Sequence, residues 1–187
     1  MTDGCAALGA ALPFAVGFIG RSGSGKTTYC EKVTAILKAR GLRVGVLKDA
    51  HHGFDMDTPG KDSWRYREAG AAAVAVRSDA RWAMLVETPE REPVDAMLRR
   101  FSSIAGGVDL VLVEGFKHEG AFPKIEVRRR GCAAEAPLSA GEVADAVAVA
   151  TDFEEPGIPK SLPRLDLNRP EEAADFILAL MRRKGLA

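Results

Sequence analysis

The chain has 187 residues, which suits one ordinary domain and is too short for two large ones. Lysine and arginine total 26, as do aspartate and glutamate, so the formal net charge is zero, which argues against nucleic-acid binding and a polybasic membrane anchor. The three cysteines are scattered without a C-x-x-C pair, which argues against a disulfide framework or zinc knuckle and predicts a reducing, cytoplasmic location.

The first part of the chain predicts a β-loop-α-β unit. An apolar run at Phe14–Ile19 predicts a strand. The segment Lys26–Arg40 has apolar residues at helical spacing and is followed by Gly41, which predicts a helix that ends there. Arg43–Leu47 predicts the second strand, so the connection is expected to be a right-handed parallel crossover.

The middle of the chain predicts a loop followed by short elements. Residues 49–61 have no periodicity and are rich in Asp, His, Gly and Pro. A short helix capped by its first residue is expected over 62–70. Strands at Ala73–Val76 and Ala83–Thr88 are close enough to form an antiparallel hairpin, and Pro93 begins an amphipathic helix.

The last part of the chain adds further strands. Val108–Val113 is nearly all apolar, so we expect it in the middle of a sheet that is buried on both faces. Other strands are predicted at Lys124–Val127, Ala146–Ala150 and Arg164–Leu167, and Pro170 begins a final helix.

The segment Gly20-Arg-Ser-Gly-Ser-Gly-Lys-Thr27 matches the phosphate-binding pattern G-x-x-x-x-G-K-[ST]. Its glycines let backbone N–H groups converge on an anion, Lys26 supplies positive charge to the β and γ phosphates, and Thr27 offers a hydroxyl to Mg²⁺. The preceding strand and following helix are the required context. We therefore predict one P-loop NTPase-type domain over residues 1–187, an α/β fold with a mostly parallel, mixed sheet flanked by helices in three layers.

P-loop ATPases and GTPases also need an acidic residue at the end of a central strand, where it holds the water shell of Mg²⁺. Glu114 follows the apolar run Val108–Val113 in that position. A carboxylate that closes such a run is unfavourable unless it meets a cation, which favours a metal role. An ordinary turn residue is the alternative interpretation.

The segment that follows the second strand, from Lys48 to Ser63, has the most distinctive composition in the sequence, because it is rich in lysine, histidine and aspartate. The carboxyl ends of parallel strands line the ligand crevice of such a sheet. Three roles are open: Lys48 contacts phosphates, Asp55 or Asp57 holds Mg²⁺ or orients a water, and the pair His51–His52 binds a metal. Adjacent residues of an extended strand point to opposite sides, which favours polar loop contacts for the histidines.

The sequence offers one candidate residue for recognition of the nucleotide base. Guanine is commonly read by a carboxylate that accepts from its N1 and N2 protons, which adenine cannot match. The predicted strand Ala146–Ala150 leads to Thr151 and Asp152, so Asp152 is a candidate, with a simple turn residue as the equal alternative. No N-K-x-D or T-K-x-D string occurs, so motifs alone do not decide between GTP and ATP.

Four motifs carry a resemblance to a known family: G-x-S-G-S-G-K-T-T, K-x-x-H-H with D-x-D-x-P-G-K-D-S downstream, L-V-L-V-E-G-F-K-H-E, and P-K-I-E-V. Together they resemble MobB, the molybdopterin-guanine dinucleotide biosynthesis adaptor family, from about Phe14 to Leu180. The resemblance implies a P-loop protein that binds GTP with Mg²⁺ and forms homodimers. It also implies action with a MobA-type molybdenum cofactor guanylyltransferase, which joins GMP to molybdopterin, and molybdopterin itself is a further candidate partner.

The motifs and the resemblance together give a set of candidate site residues. The nucleotide-binding candidates are Gly20, Ser22, Gly23, Ser24, Gly25, Lys26, Thr27, Thr28, Lys48, His51, His52, Lys117 and Asp152. The metal candidates are Thr27, Glu114 and Asp57, and the catalytic candidates are Asp49, Asp55 and Asp57. Asp49 departs from the family pattern, which usually has His there. It places a carboxylate where related dimeric P-loop proteins keep a water-activating Asp, with a solvated surface residue as the alternative.

Three functions are open at this stage. The first is a GTP-binding adaptor with weak Mg²⁺-dependent GTPase activity, which assists the attachment of GMP to molybdopterin. The second is a phosphotransferase similar to nucleoside kinases, which generally close an arginine-bearing lid over the transferred phosphate. The arginines of Glu90–Arg100 are instead expected on a packed amphipathic helix. The third is a nucleotide-dependent scaffold without hydrolysis.

Overall fold

The computed structural model describes residues 12–50, 53–104, 106–119, 122–131, 146–154 and 161–186. These residues contain eight strands and four helices. In chain order they are β1 (Phe14–Ile19), α1 (Lys26–Ala39), β2 (Val44–Lys48), α2 (Asp62–Glu68), β3 (Ala73–Arg77), β4 (Trp82–Val86), α3 (Val94–Ser102), β5 (Leu110–Glu114), β6 (Lys124–Arg128), β7 (Ala146–Thr151), β8 (Arg164–Asp166) and α4 (Pro170–Arg183). The chain divides into two compact units, one made of 1–49 with 94–187 and the other of 50–93.

The first unit is built on a six-stranded sheet in the order β2-β5-β1-β6-β7-β8. Its neighbouring strands are all parallel, and β1 lies between β5 and β6. Parallel strands need crossover connections, and α1 lies in the one between β1 and β2, while α3 lies in the one that leads to β5. The predicted α/β fold with a mostly parallel sheet is confirmed, and the antiparallel pair β3–β4 forms a separate sheet.

Helices cover both faces of the six-stranded sheet because successive side chains of each strand point to opposite sides. On one face, Phe18, Leu112 and Ile125 are completely buried in a cluster with side chains of α1 and α4. On the other face, Val111 packs in a cluster with Leu98 of α3. Each such fully buried side chain stabilises the fold by about 1.5–3 kcal/mol. The three-layer prediction is confirmed for this unit.

Cys30 of α1 belongs to the larger apolar cluster. Burial, followed by the negative charge of Glu114, raises the pKa of this thiol to about 11. Because the nucleophilic form is the thiolate, Cys30 is an inert core residue at neutral pH.

The second unit contains α2 and the antiparallel hairpin β3–β4. The register pairs Ala73 with Val86 and Arg77 with Trp82, as the short spacing of the two strands predicted. The unit is tied together by Arg67 of α2, whose Nε lies 2.9 Å from Oε1 of Glu87. The prediction of one domain over the whole chain stays a prediction.

Several element boundaries differ from the predicted ones by one or two residues. Strand β2 starts at Val44 because the N–H of Arg43 donates to the carboxylate of Asp109 at 2.6 Å. Strands β2 and β5 each continue into their first polar residue, so that Lys48 pairs with Glu114. A parallel ladder is made by backbone groups and does not stop where the apolar side chains stop. None of the helices in the described residues is long and apolar enough to cross a membrane.

Candidate nucleotide-binding site

The loop between β1 and α1 turns around glycines at which φ is positive, 149° at Gly20, 78° at Gly23 and 84° at Gly25. L-residues rarely adopt such values. Two of these glycines also admit close neighbours. A Cβ on Gly20 would collide with the carbonyl oxygen of Val127 in β6. A Cβ on Gly25 would lie 3.3 Å from the guanidinium carbon of Arg129.

Replacing Gly20 with alanine is expected to lower the free energy of unfolding by about 2–4 kcal/mol, because backbone strain adds to a collision with a backbone atom that cannot move freely. Gly23→Ala is the matched control, since its φ is also positive but nothing lies within 4 Å of the added carbon. Its loss should be only about 1–2 kcal/mol. Urea denaturation of both variants measures the difference, and equal losses would contradict the close packing of the loop against β6.

Helix α1 begins at the end of this loop, where the N–H of Tyr29 bonds to the carbonyl oxygen of Gly25 at 2.9 Å. Its first turn has no acidic residue, and its N-cap residue is Gly25, which has no side chain to cap the helix. The ammonium of Lys26 lies over the loop and donates to the carbonyl oxygen of Arg21 at 2.7 Å. Backbone N–H groups, the positive helix end and a lysine therefore collect at one place, which suits an anion.

Three of the predicted site residues meet at the carboxyl ends of β2 and β5. The hydroxyl of Thr27 donates to Oε1 of Glu114 at 2.7 Å. Nζ of Lys48 lies 3.2 Å from the same oxygen and 3.4 Å from the Thr27 hydroxyl. Glu114 is buried, whereas the side chain of Lys48 is 54% exposed. A hydroxyl and a carboxylate beside a phosphate cradle are the protein ligands that Mg²⁺ commonly takes in nucleotide sites, so these residues fit a magnesium ion.

The turn after Glu114 has an unusual backbone. Gly115 has φ 93° and Phe116 has φ 55°, and Phe116 is the one non-glycine residue with positive φ in the described ranges. The aromatic ring is buried in the apolar cluster beside α3, which holds this strained turn in place. The N–H of Asp49 donates to the carbonyl oxygen of Glu114 at 2.9 Å, so Asp49 lies beside this turn. Lys117 follows on the turn and is half-buried.

The acidic candidates of the second unit, Asp55 and Asp57, take part in a local network of hydrogen bonds. Oδ1 of Asp57 accepts from the hydroxyl of Ser63 at 2.7 Å and from the N–H of Thr58 at 2.9 Å. Oδ1 of Asp55 accepts from the N–H of Asp57 at 2.8 Å and from Arg67 at 3.1 Å. The Asp57 N–H, followed by Arg67, holds the pKa of the Asp55 carboxyl below its ordinary value. Both carboxylates therefore organise the segment before α2.

A second group of charged residues lies where β6 and β7 end. Oδ1 of Asp152 accepts from the N–H of Arg130 at 2.9 Å. Oδ2 of the same carboxylate lies 3.7 Å from Nε of Arg129. Because the Arg129 guanidinium lies 3.3 Å from where a Cβ of Gly25 would be, this pair brings the ends of two strands close to the P-loop.

Comparison with known proteins agrees with this geometry. The family model described as Molybdopterin guanine dinucleotide synthesis protein B, MobB, matches residues 15–152. The chain belongs to the MobB family. It is 41% identical over 170 residues to the molybdopterin-guanine dinucleotide biosynthesis adapter protein of Escherichia coli K12, covering 90% of this chain and 93% of that relative. It is 43% identical over 165 residues to the adapter protein of Haemophilus influenzae, covering 87% and 86%.

Solved structures of MobB proteins share the fold. The X-ray structure of the MobB homologue from Bacillus stearothermophilus has a TM-score of 0.66 at 26% identity and covers 90% of this chain and 98% of its own. A crystal structure of molybdopterin-guanine biosynthesis protein B has a TM-score of 0.68 at 28% identity, covering 90% and 99%. These similarities and the motifs agree that the chain is a MobB-type P-loop protein.

Not all of the residues predicted from the sequence can be placed in this MobB site. Thr27, Lys48 and Glu114 are in contact, whereas His51 and His52 lie outside the described residues. Sequence reasoning missed Phe116 and Arg129. The short basic run Arg128–Arg130, which begins at the last residue of β6, was the available signal for Arg129.

Proposed function

We propose that this MobB-family chain binds GTP together with Mg²⁺ in its P-loop and hydrolyses it slowly. The observation that carries the proposal is the Thr27–Glu114 hydrogen bond of 2.7 Å at the start of α1, beside Lys26 and Lys48. The N–H groups and lysines would hold the phosphates, and Thr27 and Glu114 would hold the magnesium ion, which neutralises developing charge on the phosphates.

The proposed site includes the remaining candidates from the sequence. Gly20, Ser22, Gly23, Ser24, Gly25 and Thr28 would complete the phosphate cradle, with Lys117 as a further cation. Asp152 would read guanine, because a carboxylate oxygen that accepts one N–H keeps a second lone pair for the base. Asp49, Asp55 and Asp57 are the proposed catalytic carboxylates, and Asp57 is also a proposed magnesium ligand.

Isothermal titration calorimetry of the whole chain tests the nucleotide assignment. GTP should bind at least tenfold more tightly with Mg²⁺ than with EDTA, and more tightly than ATP under the same conditions. Tighter binding of ATP would overturn the guanine assignment, while absence of binding to both nucleotides would overturn the P-loop proposal as a whole. Phosphate release from GTP separates a slow GTPase from a scaffold that does not hydrolyse.

We also propose that the chain acts as a homodimer with a MobA-type guanylyltransferase in attaching GMP to molybdopterin. Its membership in the adapter family supports that role. The hairpin β3–β4 exposes Val76, Trp82 and Met84, and a two-stranded sheet is marginally stable by itself, which supports burial against a second copy. Sedimentation of the chain alone and mixed with the guanylyltransferase tests both associations. Direct contact with molybdopterin is tested by the same mixture with the pterin added.

The phosphotransferase alternative has less support. Arg91, Arg99 and Arg100 are the arginines that could supply a lid. The last two lie on α3, which is fixed to the sheet by buried Val94 and Leu98. A lid must move to close over a transferred phosphate. Formation of a phosphorylated nucleoside or pterin from GTP would nevertheless revive this function.

A further inference from the structure

Arg129 lies beside the P-loop although it is far from it in sequence. Its Cζ, Nη2 and Nη1 atoms lie 3.3, 3.4 and 3.5 Å from the position that a Cβ of Gly25 would take. Three nearly equal distances mean that the face of the guanidinium lies against this glycine. Any residue other than glycine at this position would therefore displace the arginine as well as strain the backbone, where φ is 84°.

Arg129 lies near the P-loop because of the way that β6 pairs with β1 in the sheet. Strand β6 runs parallel to β1, with Ile19 paired to Glu126, so both strands end at the edge where the P-loop begins. Residues just beyond β6 are thereby brought to the loop. Asp152, just beyond the neighbouring strand, lies 3.7 Å from Nε of Arg129 and limits where the guanidinium can move.

We propose that Arg129 is a further phosphate ligand, which approaches the nucleotide from the β6 side of the P-loop. This inference depends on the proposed nucleotide binding and adds a residue to that site. The side chain is 44% exposed, so a ligand in the loop can reach it. Its guanidinium is a planar group of N–H donors that matches two phosphate oxygens at once, the geometry in which arginine binds such anions. Gly25 directly precedes α1, where the N–H groups and the helix dipole also favour an anion.

The purine ring is the competing ligand for a guanidinium, because arginine also stacks on aromatic faces. The two assignments differ in what they predict for an anion without a base. A phosphate ligand contributes to the binding of inorganic tripolyphosphate, whereas a residue that stacks on the purine does not.

The test compares Arg129→Gln with Arg130→Gln, a control that loses the same charge one residue further along and keeps its backbone N–H. The Arg130 guanidinium lies over the ring of Phe153, at 5.7 Å. Displacement of a fluorescent GTP analogue measures the affinities of GTP and of tripolyphosphate, each with Mg²⁺. We expect Arg129→Gln to weaken both about tenfold or more and Arg130→Gln to weaken each less than threefold. Arg129→Lys should restore part of the loss, because it returns the charge without the fork of donors.

Each other outcome overturns the assignment. Loss of GTP affinity with unchanged tripolyphosphate affinity would make Arg129 a purine contact. Equal losses in the two glutamine variants would show a general effect of charge, and no loss would make Arg129 a structural brace. Thermal unfolding of each variant verifies that it is folded. If the wild-type chain binds no GTP, the proposed function fails too, whereas wild-type binding that Arg129→Gln leaves intact removes only this inference.

Discussion

Lys26→Ala is expected to weaken the binding of Mg²⁺-GTP about 100-fold, because the charge-assisted hydrogen bonds of its ammonium to the phosphates are lost. A water molecule in its place could donate hydrogen bonds but would bring no positive charge. In the structure its ammonium donates to the carbonyl oxygen of Arg21 in the same loop. Titration calorimetry at fixed salt measures the change.

Lys32→Ala is the matched control for this variant, because Lys32 is an exposed lysine of the same helix and its loss changes the net charge equally. It should bind GTP with an affinity close to that of the wild type. An unchanged dissociation constant for Lys26→Ala would contradict the P-loop interpretation of the motif.

Glu114→Gln is expected to have the second large effect, a fall of about 100-fold in Mg²⁺-dependent GTP hydrolysis, because the amide keeps the shape of the side chain but lacks the charge that holds a cation. Binding of GTP in EDTA should change much less. Glutamine can still accept from the Thr27 hydroxyl, so the 2.7 Å hydrogen bond can be retained. Phosphate release over a series of Mg²⁺ concentrations measures the effect.

A purely structural role for Glu114 gives a different result. The Glu114→Gln chain would then lose stability, because the 3.2 Å ion pair with Lys48 is weakened, and its response to Mg²⁺ would equal that of the wild type. Glu31→Gln, an exposed position on α1, is the control for a lost negative charge near the P-loop.

The fold could be predicted from the sequence because local patterns carry it. Apolar runs predicted β1 and β5, and apolar residues at helical spacing predicted α1. These patterns are reliable here because each of the three elements buries its apolar side chains against the same sheet. The ends of β2 and β5 were less predictable. Their last residues, Lys48 and Glu114, are polar, and only the backbone ladder keeps them in the strands.

The candidate site was predictable where a motif is contiguous, as in the P-loop. It was not predictable where contacts join distant segments. Arg129 reaches Gly25 only because β6 pairs with β1, and the sequence around it shows no more than a short basic run. Phe116 has a positive φ that no local pattern indicated, because the buried cluster beside α3 selects this conformation.

The ion pair between Lys48 and Glu114 has a consequence for the affinities of the metal and the nucleotide at the proposed site. The carboxylate already has a cationic neighbour, so a magnesium ion bound there would replace one positive partner with another. The ammonium that it displaced, which belongs to a half-exposed side chain, would then be available to the phosphates. Metal and nucleotide would therefore bind more favourably together than either would alone. By thermodynamic reciprocity, each should raise the affinity for the other by the same factor.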